Sequence, residues 1–264
     1  VSALLRLDEV TVARDGRTVL EGASLVLEPG ERVAIVGPNG AGKTTLMRTI
    51  VGLTPAASGR VTLFGTVCRE ERDFRPLRPR IGVLFQDSDD QLFCPSVVED
   101  VAFGPLNAGA TAAAAEAAAR ATLGHLGIAH LADRLTHRLS GGEKRLVCLA
   151  GLLAMTPDVL LLDEPTNGVD TANGARLRAA LAAFPGAMLI VSHDAAFVAG
   201  LATRALALEH GRLRPATIHT HAHPHAHVHP GDASHAHQAA GAADGQTASE
   251  AARNAGGSPT DRRA

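Results

Sequence analysis

The sequence predicts an α/β fold in which a mixed, mainly parallel sheet is preceded by an antiparallel β region and interrupted by an inserted helical subdomain. Three observations lead there. Short apolar runs bounded by turn residues fill positions 4–36, and a glycine loop follows the last of these runs and opens a helical stretch. After an alanine-rich middle section, alternation of strand and helix resumes at Val159.

Leu4-Leu5-Arg6-Leu7, Val10-Thr11-Val12 and Ala23-Ser24-Leu25-Val26-Leu27 read as strands separated by Asp, Gly and Pro signals. Pro29-Gly30 turns the chain into Arg32-Val33-Ala34-Ile35-Val36, a short apolar run suited to a buried strand, and Lys43 to Val51 reads as a helix. From about 88 to 155 helix dominates. Within it, Thr111 to Leu123 is alanine-rich, with Glu116 and Arg120 at i, i+4 in the favourable direction. Beyond it come a strand at Val159 to Leu162, a helix at Arg176 to Ala183, and strands at Met188 to Val191 and Ala205 to Leu208. This return predicts one domain over 1–215 whose sheet is interrupted at about 88–155, and not two sequential domains. Residues 216–264 lose periodicity and become rich in His, Ala, Gly, Ser and Thr. Such a segment buries too little apolar surface to offset an ordering cost of roughly 1–2 kcal/mol per residue, and is expected to be disordered.

An apolar share of 45% and a charged share of 20% over 264 residues are ordinary for a globular protein. A formal charge of −2 and a pI near 6.7 argue against nucleic acid as a partner, since backbone binding requires clustered Lys and Arg. The three cysteines, Cys68, Cys94 and Cys148, are scattered and lack metal-ligand spacing, which suggests a reducing compartment. With neither a long apolar run nor a leader pattern, the chain is expected neither to span a membrane nor to be exported.

Chemistry concentrates in five segments: Gly37-Pro38-Asn39-Gly40-Ala41-Gly42-Lys43-Thr44, with Thr45 after it; Gln86; Leu139-Ser140-Gly141-Gly142-Glu143; Asp163-Glu164; and His193. A triphosphate is dense negative charge. Small residues let successive backbone N–H groups point inward, while the following helix aims its positive end at the same place. Lys43 adds a charge for the β- and γ-phosphates, and the Thr44 hydroxyl is placed to ligate Mg²⁺. Strand, loop and helix in that order predict a P-loop NTPase core. Asp163 ends the apolar run Val159 to Leu162, where its carboxylate can hold the Mg²⁺ shell through water. Glu164 beside it is the candidate general base for the attacking water. The serine and two glycines at 140–142 form a second anion cradle. One chain with one lysine loop does not need two, so this surface is expected to close on the γ-phosphate held by a second protomer.

The order and spacing of these segments resemble the nucleotide-binding subunits of ATP-binding-cassette (ABC) transporters over about residues 4–214. The resemblance implies a head-to-tail dimer, of identical or related copies, with two ATPs between the lysine loop and the Leu139–Glu143 segment. It assigns Gln86 to linking the γ-phosphate and Mg²⁺ with a membrane partner, Asp170 to the loop that crosses the dimer, and His193 to the γ-phosphate. Phe85-Gln86-Asp87-Ser88-Asp89-Asp90-Gln91-Leu92-Phe93 and Val98 to Asn107 are similar to ATPases of the energy-coupling-factor group, which import vitamins and transition-metal ions. That likeness implies a transmembrane coupling component, a substrate-binding membrane component and a peripheral position on the cytoplasmic face of the membrane. The family usually stacks adenine on an aromatic near the position of Ala13-Arg14, but neither residue is aromatic and this chain has no Tyr or Trp; the Arg14 guanidinium stacking on the base and a solvated surface arginine are the two alternatives.

His219, His221, His223, His225, His227 and His229 alternate with other residues, and His235 and His237 follow. Imidazoles with pKa near 6.5 are mostly neutral at cytoplasmic pH and suit Ni²⁺, Co²⁺, Zn²⁺ or Cu²⁺. Compositional drift or a terminal tag are the plain alternatives, although a tag is normally a consecutive run. If functional, the tail fits a subunit that powers nickel or cobalt import. A soluble metallochaperone NTPase is the competing reading. The nickel-inserting GTPases carry an Asn-Lys-x-Asp motif, whereas this chain has no Asn-Lys pair.

Overall fold

The computed structural model describes residues 2–87, 91–220 and 226–230. Two sheets carry the fold. The first is antiparallel, in the order β2-β1-β4-β5, built from β1 (Leu5–Arg14), β2 (Arg17–Leu27), β4 (Ser58–Leu63) and β5 (Thr66–Cys68). The second has the order β11-β10-β9-β3-β8-β7-β6. Its parallel part comprises β3 (Arg32–Val36), β6 (Ile81–Leu84), β7 (Val159–Asp163), β8 (Ala187–Val191) and β9 (Arg204–Glu209). An antiparallel hairpin, β10 (Arg212–Thr220) and β11 (Ala226–Pro230), extends it beyond β9.

The helices are α1 (Lys43–Ile50), α2 (Glu71–Phe74), α3 (Val97–Asn107), α4 (Ala112–His125), α5 (Gly141–Ala154), α6 (Thr171–Ala183) and α7 (Ala195–Leu201). α3, α4 and α5 all fall between β6 and β7, so the chain leaves the sheet for a helical excursion and returns one strand over.

Alternation along the central strands splits the interior into two cores. Leu161, Leu189 and Val191 pack with α1 residues Leu46, Met47 and Ile50 and with the antiparallel sheet. Leu160, Leu162, Met188 and Ile190 pack with Val101, Leu123, Leu146 and Leu177 of the other helices. Burial on both faces is why β7 and β8 read as unbroken apolar runs.

Two expectations differ from the structure. The N-terminal segments merge into the two long strands β1 and β2, and Asp8-Glu9 does not separate them but lies in a bulged stretch of β1. Glu9 takes φ 48°, and the Ser24 hydroxyl donates to its Oε1 at 2.9 Å, which accommodates the charge. The sheet also does not stop at Pro215. Thr217, Ile218 and Thr220 are β-branched, Ile218 packs with Ala34, Val198 and Ala205, and the strand continues to Thr220 before pairing with β11. Composition averaged over 216–264 hid this short strand-forming stretch.

Candidate functional site

The glycine loop joins β3 to α1. Gly37 has φ 148°, and a side chain there would run into the carbonyl of Leu208. Gly42 has φ 101°, and its Cβ would stand 2.9 Å from Val19 Cγ1. Only glycine lets the backbone turn here and lie against β2 and β9. The loop lines a cavity of about 870 Å³ through Gly37, Pro38, Asn39, Gly40, Gly42, Lys43, Thr44 and Thr45. Ala41 instead packs against the core. Lys43 Nζ arches over the loop, donating to the carbonyls of Gly37 at 2.8 Å and Pro38 at 2.9 Å. Gln86, Asp163, Glu164 and His193 complete the wall, with Arg14 and Val19. The lining of the cavity thus contains an arginine where the resemblance leads one to look for an aromatic.

Asp163 is the last residue of β7 and is buried. Thr44 Oγ1 donates to its Oδ2 at 2.7 Å. Burial pushes the Asp163 carboxyl above its ordinary value and the negative charge of Glu164 adds to this, while the Thr44 bond, Lys43 and Arg145 oppose it. A hydroxyl and a carboxylate in contact are hard oxygen donors, and they fit Mg²⁺.

Glu164 stands in the left-handed region at φ 48°, uncommon for a residue with a side chain. Its N–H donates to the Val191 carbonyl at 2.8 Å and its own carbonyl accepts from Arg145 Nη2 at 2.8 Å, so both sides of the strained residue are fixed. Its side chain is 11% exposed, and Oε2 lies 2.9 Å from Nδ1 of a largely exposed His193. Gln86 follows β6 and lines this cavity and an adjoining groove of about 1000 Å³.

Sequence reasoning missed Arg145. It is fully buried in the second turn of α5 and donates to three backbone carbonyls: Phe85, Gln86 at 2.9 Å, and Glu164. Burial lowers its guanidinium pKa, and its Nε has no hydrogen-bond partner among the described residues. One signal was available: Arg145 shares a helical face with Cys148 and Leu149 at i+3 and i+4, inside an apolar run.

The Leu139–Glu143 segment lies elsewhere, at the start of α5. Ser140 caps α5, accepting from the Glu143 N–H at 3.3 Å while its own N–H donates to Glu143 Oε2 at 2.7 Å. These bonds, above all the Ser140 N–H, and Arg134 hold the Glu143 carboxyl below its ordinary range. Asp170 caps α6, accepting from Asn173 N at 3.0 Å and Nδ2 at 2.7 Å. Gly142 sits against that cap, since a Cβ there would stand 2.7 Å from Asp170 Oδ2. Neither Ser140, Gly141, Gly142 nor Asp170 lines the cavity of the glycine loop. Ser140 faces a separate cavity with His130, Arg134, Arg138 and Arg176. Of the tail histidines, His219, His227 and His229 lie in the β10–β11 hairpin, while His221, His223, His225, His235 and His237 lie outside the described residues.

Residues 20–167 match the profile of the ABC transporter family. A protein of Brucella suis biovar 1, by name an ABC transporter ATP-binding protein, is 56% identical over 83% of this chain and 91% of its own length. The cobalt import ATP-binding protein CbiO of Rhodobacter capsulatus is 44% identical over 81% of this chain and 78% of its own. Among solved structures, CbiO1 of Clostridium perfringens, described as part of the ABC transporter complex CbiONQ, superposes with a TM-score of 0.72. The two are 33% identical, and the match covers 81% of this chain and 87% of that one. The family match over residues 20–167 and the identity to these relatives show that the chain belongs to the ABC transporter family as an ATP-binding, ATP-hydrolysing subunit.

Proposed function

We propose that this chain is the ATPase of an energy-coupling-factor importer for a transition-metal ion, nickel or cobalt, and that it works as a dimer at the cytoplasmic face of a membrane. One observation carries the dimer: the groups that grip a triphosphate and the Ser140 cradle line different cavities of one protomer. A second copy, identical or closely related, turned head to tail brings its Ser140, Gly141 and Gly142 onto the γ-phosphate, with Asp170 at the crossing loop. Likeness to a cobalt import protein and the histidine run support the choice of cargo.

In this reading the loop N–H groups and Lys43 hold the phosphates, and Thr44 and Asp163, with Gln86, hold Mg²⁺. The metal, when bound, neutralises phosphate charge. Glu164 takes the proton from the attacking water, and its neighbour His193 reaches the γ-phosphate. No helix among the described residues is long and apolar enough to cross a membrane. The groove beside Gln86 has exposed apolar edges at Phe93 and Phe103, whose rings pack edge-to-face at 4.6 Å. That is the seat for a transmembrane coupling component, through which a separate substrate-binding membrane component is energised.

The test is uptake of radioactive Ni²⁺ and Co²⁺ into vesicles containing the chain with its co-purifying membrane proteins. ATP-dependent uptake abolished by Glu164→Gln is expected. Uptake that is independent of ATP, or no uptake of either ion, overturns the proposal.

A further inference from the structure

Gln86 is exposed, and its side chain makes no hydrogen bond among the described residues, so its place in the wall of the phosphate cavity is set by its backbone. That backbone leaves the sheet at the end of β6. β6 is an edge strand, with β7 on one side and no strand on the other among the described residues. Such an edge presents unpaired N–H and C=O groups, and its ladder does not fix where the chain goes next. Gln91 fills the gap. Its carboxamide oxygen accepts from the Phe85 N–H at 3.0 Å, and its nitrogen donates to the Val83 carbonyl at 2.9 Å. One side chain thus satisfies two backbone groups two residues apart, as a neighbouring strand would. The first of these bonds closes the chain on itself from Phe85 to Gln91, and Gln86 is the first residue inside the closed loop. Arg145 orients the same pair through their oxygens, donating to the carbonyls of Phe85 and Gln86. Just past Gln91 the chain is pinned again, where the N–H groups of Phe93 and Cys94 donate to Asp100 Oδ1 of α3 at 3.0 and 2.9 Å.

We infer that Gln91 is a positioning residue for ATP hydrolysis: its amide fixes the end of β6 so that the Gln86 side chain stands in the cavity wall beside Thr44 and Asp163. The role of Gln86 toward Mg²⁺ belongs to the function proposed above, and the part played by Gln91 rests on it. The position demands a donor and an acceptor on one side chain, and glutamine carries both. An ionised glutamate of the same length only accepts, and it sets a negative oxygen against the Val83 carbonyl. Leucine offers neither group and leaves both backbone partners to water. Gln91 lines the adjoining groove and not the cavity of the glycine loop. Its loss therefore acts on Gln86 and spares the grip on the triphosphate.

The test compares Gln91→Leu, Gln91→Glu, Gln86→Ala and the double variant Gln86→Ala, Gln91→Leu in the full-length chain with its co-purifying membrane proteins. Thermal unfolding reports folding, and Gln91→Glu stands in should Gln91→Leu not fold. Without nucleotide or metal, the Phe85 amide is expected to lose its protection from hydrogen exchange in Gln91→Leu. In steady-state hydrolysis both Gln91 variants should lower kcat about tenfold or more and raise the Mg²⁺ concentration giving half the maximal rate, since losing an outer-shell partner of a metal ligand costs about 10–100-fold. The KM for ATP should move less than about threefold. Because Gln91 acts through Gln86, its removal in the Gln86→Ala background should cost less than about twofold more. Full kcat with an unaltered Mg²⁺ requirement in folded Gln91 variants, a full multiplicative loss in the double variant, or unchanged exchange at Phe85 overturns the role of Gln91 and leaves that of Gln86 standing. Unimpaired hydrolysis by Gln86→Ala overturns the reading of Gln86, and the role of Gln91 with it.

Discussion

Replacing Arg145 by alanine removes the donor for three carbonyls at once, two on the Phe85-Gln86 segment and one on Glu164. The Glu164 carbonyl is the buried one, and leaving it unsatisfied costs about 1–3 kcal/mol. The other two open toward the cavity and groove, where water takes over, so about 0.5–1 kcal/mol each is a fair allowance. Against this, removing a buried cation and its unpartnered Nε returns about 1 kcal/mol. The net loss is about 2 kcal/mol, or roughly 4–8 °C in melting temperature for a domain of this size. Function should suffer in a separable way. The phosphate loop does not touch Arg145, so the KM for ATP should move less than about threefold, while kcat falls at least tenfold as Glu164 and Gln86 lose their common anchor. Arg145→Lys, which cannot span three acceptors, should recover stability more than rate. The assays are thermal unfolding and steady-state phosphate release. If Arg145→Ala melts several degrees lower yet retains its full kcat, the residue is scaffold only and the positioning argument is wrong.

Glu164→Gln should retain ATP binding and lose about 10²-fold or more in turnover, trapping a closed dimer visible by gel filtration with ATP; hydrolysis at the unmutated rate would remove Glu164 as the base. Gly142→Ala drives a methyl into the Asp170–Asn173 cap, so ATP binding measured by a fluorescent analogue should hold while hydrolysis drops at least tenfold, and unaltered hydrolysis would refute the partner-facing role of this surface. Truncation after Pro230 should leave ATP turnover intact. Truncation after Pro215 removes Ile218 and half of β10 and should cost about 2 kcal/mol in denaturant unfolding, so equal stability of the two truncations would contradict the packing of that strand.

What could be read from the sequence, and what could not, follows a physical division. The strands β3, β7, β8 and β9 were legible because burial on both faces writes a contiguous apolar run, and α1 because a glycine loop must be followed by a helix for its positive end to be of use. The residues of the glycine loop are contiguous in sequence, so the loop could be read whole, down to positions where only glycine fits. What stayed hidden depends on distant partners. The bulge at Glu9 requires Ser24 on the next strand, and the hairpin that holds His219 requires Ile218 to find Val198. Arg145 was passed over because its acceptors lie 60, 59 and 19 residues away along the chain.

Arg145 also joins two functions that the sequence presents as separate. α5 begins at the Ser140 cradle, which in the proposed dimer serves the partner's nucleotide, and Arg145 lies five residues along the same helix, about 7.5 Å at 1.5 Å per residue. A rigid helix cannot move its first turn without moving its second. Any shift of the cradle toward or away from a partner is therefore felt at the carbonyls of Gln86 and Glu164, and Glu164 is already held at an unfavourable φ of 48°. A residue in that region persists only where its surroundings over-determine it. In the proposed dimer, the posture of Glu164 and Gln86 in one site would depend on how the same subunit's Ser140 segment is engaged in the other, a coupling carried by one side chain and three backbone oxygens.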